Sequence, residues 1–554
     1  MKKYLKYILY TTAGVVILLS SCKKQLDEAY LNPNAAVRQP IEVIFPSLIG
    51  SFTGSSSAAG SAYGLAGDAL LIGRYIQYWG TYQIATGANL GTQYDLMGGT
   101  TGASDNMGSL WAAHYYGMGQ NVNRIIDWGG EEEKWDFVGA AWALRAWSLF
   151  EASNQYGEMI VRQAFNTSLQ QFLYDEQSET YDSVRTICFR ALSYLNMTGG
   201  GMNPTNFAAS DFYFNKGNLD KWKKFVYGIL ARSYAYLHNK TAYSADSVIK
   251  YANLSCQTNA DNIICSFQNT GITGTMNYFG PARGNVNNAS TGIRQSKYIA
   301  DLMSGANVGA FATVEDPRRW VILRENTNQT FKGTVPGQGT SGLATDDQPR
   351  SFVGTTFSTV GYPIGDTARF IFRNAAEWPI MTASEMKFIK AEALIRKNDR
   401  PNALIAYREG ISLNFDHLID KYPNNVPATQ TLTAAKRDAY LAQPNIVPAS
   451  AANLTLTHVM LQKFIALYAW GVHITWTDMR RYHYTDVDPQ TATQVYVNFI
   501  PPASLFVDNA GKLVYRTRPR YNSEYLYNIP ALTLIGAYPT NNDYHTKECW
   551  FSQN

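Results

Sequence analysis

Apolar side chains recur at helical spacing in several separate stretches of this chain, and long runs rich in Gly, Ser, Thr and Asn lie between them. Over Trp135–Phe150, positions 135, 138, 142, 146, 149 and 150 line one stripe, and over Trp222–Leu237, positions 222, 225, 226, 229, 230 and 237 do the same. Met386–Leu394, Ala403–Phe415 and Met460–Tyr468 carry the same period. Each stripe needs a neighbouring element to bury against, so the chain reads as mainly α with minor β. Alanines at close-packing positions of paired helices point to a helical-pair scaffold of the tetratricopeptide-like kind, although no strict repeat is present. Asp220 ahead of Trp222 and Ser384 ahead of Met386 are placed to cap two of the helices.

The intervening stretches Gly50–Tyr63, Gly87–Gly108, Asn269–Gly292 and Lys332–Gly365 are long for loops inside one domain, and such loops usually carry function. They hold or flank Trp79, Tyr82, Tyr94, Asn106, Tyr278 and Trp320. Aromatic residues reach 13%, with 37 Tyr against 25 Phe, which is a ring inventory suited to surfaces and interfaces. Rings beside backbone and side-chain amides suit a sugar, whose C–H faces stack while its hydroxyls take hydrogen bonds. These six residues are the expected ligand contacts. Trp79→Ala or Trp320→Ala is expected to weaken binding about tenfold.

The first residues address the compartment. Lys2, Lys3 and Lys6 precede an apolar stretch from Ile8 to Leu19, followed by Leu19-Ser20-Ser21-Cys22. Such a stretch makes a helix of only ~18 Å, against a hydrocarbon core of ~30 Å. It reads as a signal-peptide core rather than a membrane span. Small residues in register before a cysteine resemble a bacterial lipobox, which makes Cys22 the lipidated first mature residue; the alternative is an ordinary secretory signal that contains a cysteine. The expected division is signal peptide 1–21, lipidated tether 22–40 and binding domain 41–554. Multiple acyl chains would hold the protein firmly to a membrane. Losing Lys2, Lys3 and Lys6 with the signal brings the formal charge from +4 to +1. With no basic block either, nucleic acid is an unsuitable partner. Five cysteines in 554 residues exclude a disulfide scaffold. Cys256 and Cys265 could pair across a loop, with buried thiols the preferred reading.

Catalytic signatures fail in context. Gly337-Gln338-Gly339-Thr340-Ser341-Gly342 matches G-x-G-x-x-G, but no strand precedes it and no helix follows to supply amides and dipole to a phosphate. His473 with Asp478, and His483 with Asp486 and Asp488, do not match a common zinc spacing, and the polar end of a helix accounts for them. Glu385 and Glu392 are the best paired carboxylates. Two helical turns set their backbones ~10.5 Å apart, against the ~5–9.5 Å that glycosidase carboxyl groups need, and both would point the same way. They are expected to be structural, held by nearby Lys and Arg. Neither a metal nor a cofactor is expected.

Seven segments in order behind the lipobox resemble the SusD/RagB family of nutrient-binding outer-membrane lipoproteins. They are Trp142-Ala143-Leu144-Arg145-Ala146-Trp147 with Asn154-Gln155-Tyr156-Gly157-Glu158-Met159; Tyr174-Asp175-Glu176-Gln177 with Tyr181; and Asn215-Lys216-Gly217-Asn218-Leu219-Asp220-Lys221-Trp222-Lys223-Lys224-Phe225. Next come Glu315-Asp316-Pro317-Arg318, then Met381 to Ala393 with Glu385 and Glu392, then Gln462-Lys463-Phe464 with Trp476-Thr477-Asp478-Met479-Arg480-Arg481. Arg518-Pro519-Arg520-Tyr521-Asn522-Ser523-Glu524 closes the series, with Asn522 where the family usually has proline. The resemblance implies a SusD-like α/α superhelix with ligand loops on one side, no catalysis, and attachment to the outer membrane, exposed at the cell surface. It also implies a partner, a SusC-like TonB-dependent β-barrel transporter over which the lipoprotein sits as a hinged lid. The charged tether Lys23-Lys24-Gln25-Leu26-Asp27-Glu28 suits surface export in Bacteroidetes-type bacteria. The ligand is left open between glycan and peptide, and a surface glycoside hydrolase is the remaining alternative. Ligand contacts do not carry over from the family, because the shared segments fall on scaffold helices.

Overall fold

A computed structural model describes residues 38–53, 67–82, 107–270, 275–281, 292–353, 367–502, 505–506, 509–519, 523–538 and 543–554. The proposed signal, Cys22, Tyr94 and Asn106 lie outside these residues. In chain order, the elements that build and carry the frame are α1 (Ile41–Thr53), α2 (Gly67–Tyr75), β1 (Trp79–Thr81), α3 (Gly119–Glu131), α4 (Trp135–Tyr156), α5 (Gln177–Leu195), α6 (Leu219–Ala235), α7 (Ala245–Leu254), β2 (Ile263–Cys265), β3 (Ile293–Gln295), β4 (Trp378–Met381), α8 (Ala383–Arg396), α9 (Arg400–Lys421), α10 (Leu456–Ala466) and α11 (Val472–Arg481). Successive helices pack in pairs: α4 on α5, α6 on α7 and α8 on α9. The pairs stack through α5 with α6 and α7 with α8. The frame is the mainly α, helical-pair architecture that the periodicity implies. β1 pairs antiparallel with β3 and β2 with β4, as two isolated two-stranded sheets. Among the described residues, no helix is long and apolar enough to cross a membrane.

Two local readings are corrected. The cap of α6 is Asn218, whose side chain accepts from Lys221 N–H, and the cap of α8 is Thr382, which accepts from Glu385 N–H. Asp220 and Ser384 lie inside the first turns, where Asp220 favours the positive end of the helix dipole. Of the stripe on α4, Val138, Ala146, Leu149 and Phe150 are buried, and only its two tryptophans are not fully so. Trp135 and Trp142 form the partly exposed edge of a helix buried on nearly every side. Residues of α5 roof that edge: Tyr194 stacks on Trp135, and the Arg190 guanidinium lies 4.7 Å from the Trp142 ring. A helix apolar all round belongs in the centre of a stack.

The frame is locked by buried ion pairs. Arg232 of α6 donates to both carboxylate oxygens of Glu385 on α8 at 2.7 and 2.8 Å, and to Glu151 of α4 at 3.2 Å. Arg481 of α11 donates to both oxygens of Glu392 at 2.9 and 3.0 Å and to Asp478 at 2.6 Å. Asp478 also pairs with Lys463 of α10 at 2.7 Å. Arg318 holds Asp316 at 2.6 Å and donates to the amide oxygens of Gln462 and Asn414 at 2.7 and 2.8 Å. All of these groups are buried. A charge taken out of water costs several kcal/mol, which only a close, fully hydrogen-bonded partner offsets. These contacts tie residues on different helices into one arrangement.

Candidate ligand-binding face

β1 follows α2 directly, and its register sets Trp79 opposite Gln295, Gly80 opposite Arg294 and Thr81 opposite Ile293. The segment after Phe331 lies close over this ladder, where Thr334 N–H donates to Gln295 O and Lys297 N–H to Thr334 O, both at 2.9 Å. Only glycine fits at 333, since a Cβ there would lie 2.1 Å from the Ser296 carbonyl. Tyr82, at the end of β1, donates its N–H to Gly292 O and accepts from Thr340 N–H, both at 3.0 Å. The Arg294 guanidinium lies 5.1 Å from the Tyr82 ring centroid, and burial pushes its pKa down to about 10.

Behind the ladder stands a column of rings. Phe279 stacks on Trp378 at 5.1 Å and tilts against Trp79 at 6.1 Å. Phe352 stacks on Phe372 at 4.2 Å, and Phe372 meets Phe279 edge-on. Asn277 laces this column to the 367–374 segment through the carbonyls of Ile371 and Arg373. At the other end of α2, the buried Asp68 accepts from Ser109 and Leu110 N–H at 3.2 and 3.0 Å and from Gln155 Nε2 at 2.9 Å. Burial pushes its carboxyl up, while these donors pull it back. The residues at 67, 82, 107, 281, 292, 353 and 367, where 54–66 ends and where 83–106, 282–291 and 354–366 begin and end, are therefore rooted along α2, the β1–β3 ladder and the ring column.

The aromatic candidates divide sharply. Trp79 is 1% exposed; its Nε1 donates to Leu70 O at 2.9 Å, and its ring lies so close to α2 that a Cβ on Gly73 would sit 2.2 Å from it. Trp320 is 8% exposed and packs edge-on against Phe331. Both indoles are core here: the Trp79 ring fills the space that Gly73 leaves, and the Trp320 ring packs against Phe331. Tyr82 and Tyr278 are half-buried at the margin of the face, with Tyr278 edge-on to Phe279. Arginines that the sequence reading did not select also border the face. Arg369 clamps Glu325 at 2.7 and 3.0 Å, and burial, which would raise the Glu325 carboxyl, is outweighed by Arg369, so it titrates below its usual range.

The paired carboxylates are held by arginine, as their structural reading expects. Arg232 and Arg481 occupy both oxygens of Glu385 and Glu392, and Tyr482 OH adds 2.7 Å on Glu392. Burial alone would lift the Glu392 carboxyl, but the Arg481 guanidinium holds it well below the usual range, the opposite of a general acid. His473 Nε2 meets Gln155 Oε1 at 3.1 Å, His483 Nδ1 meets Asp486 at 2.7 Å, and Asp488 accepts from Thr457 N–H at 3.1 Å. Among the described residues no three His, Cys, Asp or Glu side chains are grouped to hold a metal ion. Cys256 and Cys265 are free, buried thiols, as are Cys188 and Cys549. The 337–342 segment runs through turns, with Val335 bridging to Gly339, and only the single 3-10 turn Thr345–Asp347 follows it.

Comparison with known proteins supplies the family. A family model described as "SusD-like_2: Starch-binding associating with outer membrane" matches residues 55–502. The fold is similar to that of a SusD/RagB family protein from Bacteroides thetaiotaomicron, with TM-score 0.68 and 19% identity, covering 93% of this chain and 99% of that one. A chitin-binding SusD homologue from Flavobacterium johnsoniae matches with TM-score 0.61 and 18% identity, over 93% and 99% of the two chains. A SusD homologue from Parabacteroides distasonis matches with TM-score 0.65 and 18% identity, over 93% and 98%. No curated protein sequence matches the chain.

Proposed function

Because this chain belongs to the SusD-like family, we propose that it is a surface lipoprotein that captures an oligosaccharide and passes it to a SusC-like, TonB-dependent outer-membrane transporter. The observation that carries the reading is the rooting of loop ends along α2, the β1–β3 ladder and the ring column, beside a locked helical frame whose best carboxylates are neutralised by arginine. Such a frame holds a binding surface in place and performs no bond-breaking step. Tyr82 and Tyr278 are the contacts that remain from the described candidates; Tyr94 and Asn106 complete the proposed set. Residues 1–21 are proposed as the signal, Cys22 as the acylated residue, 22–40 as the tether and 41–554 as the binding domain. The chitin-binding relative supports a glycan over a peptide.

The test is a glycan array and a peptide panel on the acylated, detergent-purified protein, with mass spectrometry of its N-terminal peptide. Saturable glycan binding, weakened about tenfold by Tyr82→Ala or Tyr278→Ala, is expected from lost ring stacking. Binding confined to peptides, or an unacylated Cys22, overturns the corresponding half of the proposal. Co-purification of a β-barrel partner from outer membranes tests the transporter.

A further inference from the structure

Two guanidinium groups, of Arg369 and Arg350, approach the Glu325 carboxylate at the edge of the ligand face, and a third arginine, Arg324, directly precedes it in the chain. Arg369 takes both oxygens of Glu325 and donates from Nε to Asn425 O at 2.7 Å, so its donors are well used. Arg350 approaches Glu325 only to 3.9 Å, with its side chain 40% exposed. Arg324 is 6% exposed, yet its Nε has no acceptor and its Nη1 reaches only the Thr367 carbonyl at 3.5 Å. It forms no ion pair with any described carboxylate. Asp347 is engaged by Asn328 and pairs with none of the three. Burial and the Arg369 charge push the Arg324 pKa down to about 10.

A buried cation without a full counter-charge is costly; Arg480 of α11, which also lacks a carboxylate, meets that cost with the carbonyls of Asn154 and Tyr515 at 2.6 and 2.8 Å, whereas Arg324 has only the long contact to Thr367 O. The Arg324 position belongs to the face, since its N–H donates to Gln295 Oε1 at 2.8 Å and Gln295 stands opposite Trp79 in the β1–β3 ladder. Thr367, which it touches, borders the 354–366 segment. A planar guanidinium fork is matched by the paired oxygens of a carboxylate or sulfate.

We infer that the ligand is an acidic glycan, with Arg324 and Arg350 receiving a carboxylate or sulfate group carried on the sugar. This rests on the glycan-binding reading above and adds the charge class of the ligand. Arg324 supplies a desolvated donor set that is otherwise unmet, and Arg350 supplies an exposed second arm.

Calorimetry with oligogalacturonate, a chondroitin sulfate oligosaccharide, chitohexaose and inorganic sulfate tests the inference, on the wild type, Arg324→Gln and Arg350→Gln. At least one acidic oligosaccharide is expected to bind about tenfold or more tightly than chitohexaose, less so as salt rises. Each variant is expected to lose about tenfold of that affinity, collapsing the preference. Arg350→Gln, on an exposed side chain, serves if the buried Arg324→Gln does not fold. An acidic preference that survives Arg350→Gln overturns the inference, as does sulfate binding without acidic-sugar binding. Chitohexaose binding with no acidic preference removes this inference alone. Failure of every oligosaccharide to bind removes the parent reading as well.

Discussion

Arg481, in the middle of the helical frame, meets two carboxylates, whereas Arg324, at the edge of the loop-rooted face, meets none among the described residues. Both are buried, so solvation does not separate them. In the frame, one acceptor arrives from α8, 89 residues away, and the other from the preceding turn of Arg481's own helix, which ties α8 to α11. On the face, the donors are held by the scaffold while the acceptor is left to something else. The same contrast holds for rings, since Trp79 fills the frame and Tyr82 sits half-buried at its margin.

The sharpest way to break this comparison is to remove a frame arginine. Arg481→Met leaves Glu392 and Asp478 short of their main partner and is expected to cost about 3–5 kcal/mol in urea unfolding. Arg350→Gln on the face is expected to stay within about 0.5 kcal/mol. Equal effects would erase the distinction between frame and face.

Trp79→Ala is expected to destabilise by about 3–5 kcal/mol through the cavity it leaves against α2. The affinity of the remaining folded protein for its ligand should be unchanged. Tyr82→Ala is expected to do the reverse, losing affinity while giving up only about 1 kcal/mol of ring contact with Arg294.

Acid probes the frame a third way. Burial pushes His473 and His114 down to about 3, with Arg480 and Arg145 reinforcing it, and His417 and His458 down to about 4. The unfolded chain takes up these protons near pH 6.5 and the folded chain does not, so stability is intact above that pH and falls as pH drops towards 4. Each histidine contributes a slope of up to about 1.4 kcal/mol per pH unit. Denaturant titrations from pH 8 to 4 should show this fall, and His473→Gln should make it shallower by one such contribution. A flat profile would mean that these imidazoles are wet. The smallest effect is at a helix end, where Thr382→Ala is expected to cost about 1 kcal/mol as the cap of α8 is lost.

The helical frame was legible because a 3.6-residue period is local, and the family segments were legible because they recur in order. Their meaning was not. Asp316, Arg318, Glu385, Glu392, Lys463, Asp478 and Arg481 mark the family in the sequence, but their common role as buried ion pairs depends on contacts across as many as 153 residues within the Arg232–Glu385 partnership. The caps were placed two residues late because Asp220 and Ser384 are good capping residues wherever they fall, and only backbone conformation selects Asn218 and Thr382. Trp79 and Trp320 were taken as ligand contacts because composition reports that a ring is present and cannot report which way it faces.

By itself, then, the order of residues determined a mainly α stack and where its main helices run, since these follow from spacing along the chain. Tertiary structure decided which arginines are neutralised, which rings are core and where the loops are rooted. Those are properties of proximity between distant segments, and electrostatic and packing energies depend on distance in space and not on distance in sequence.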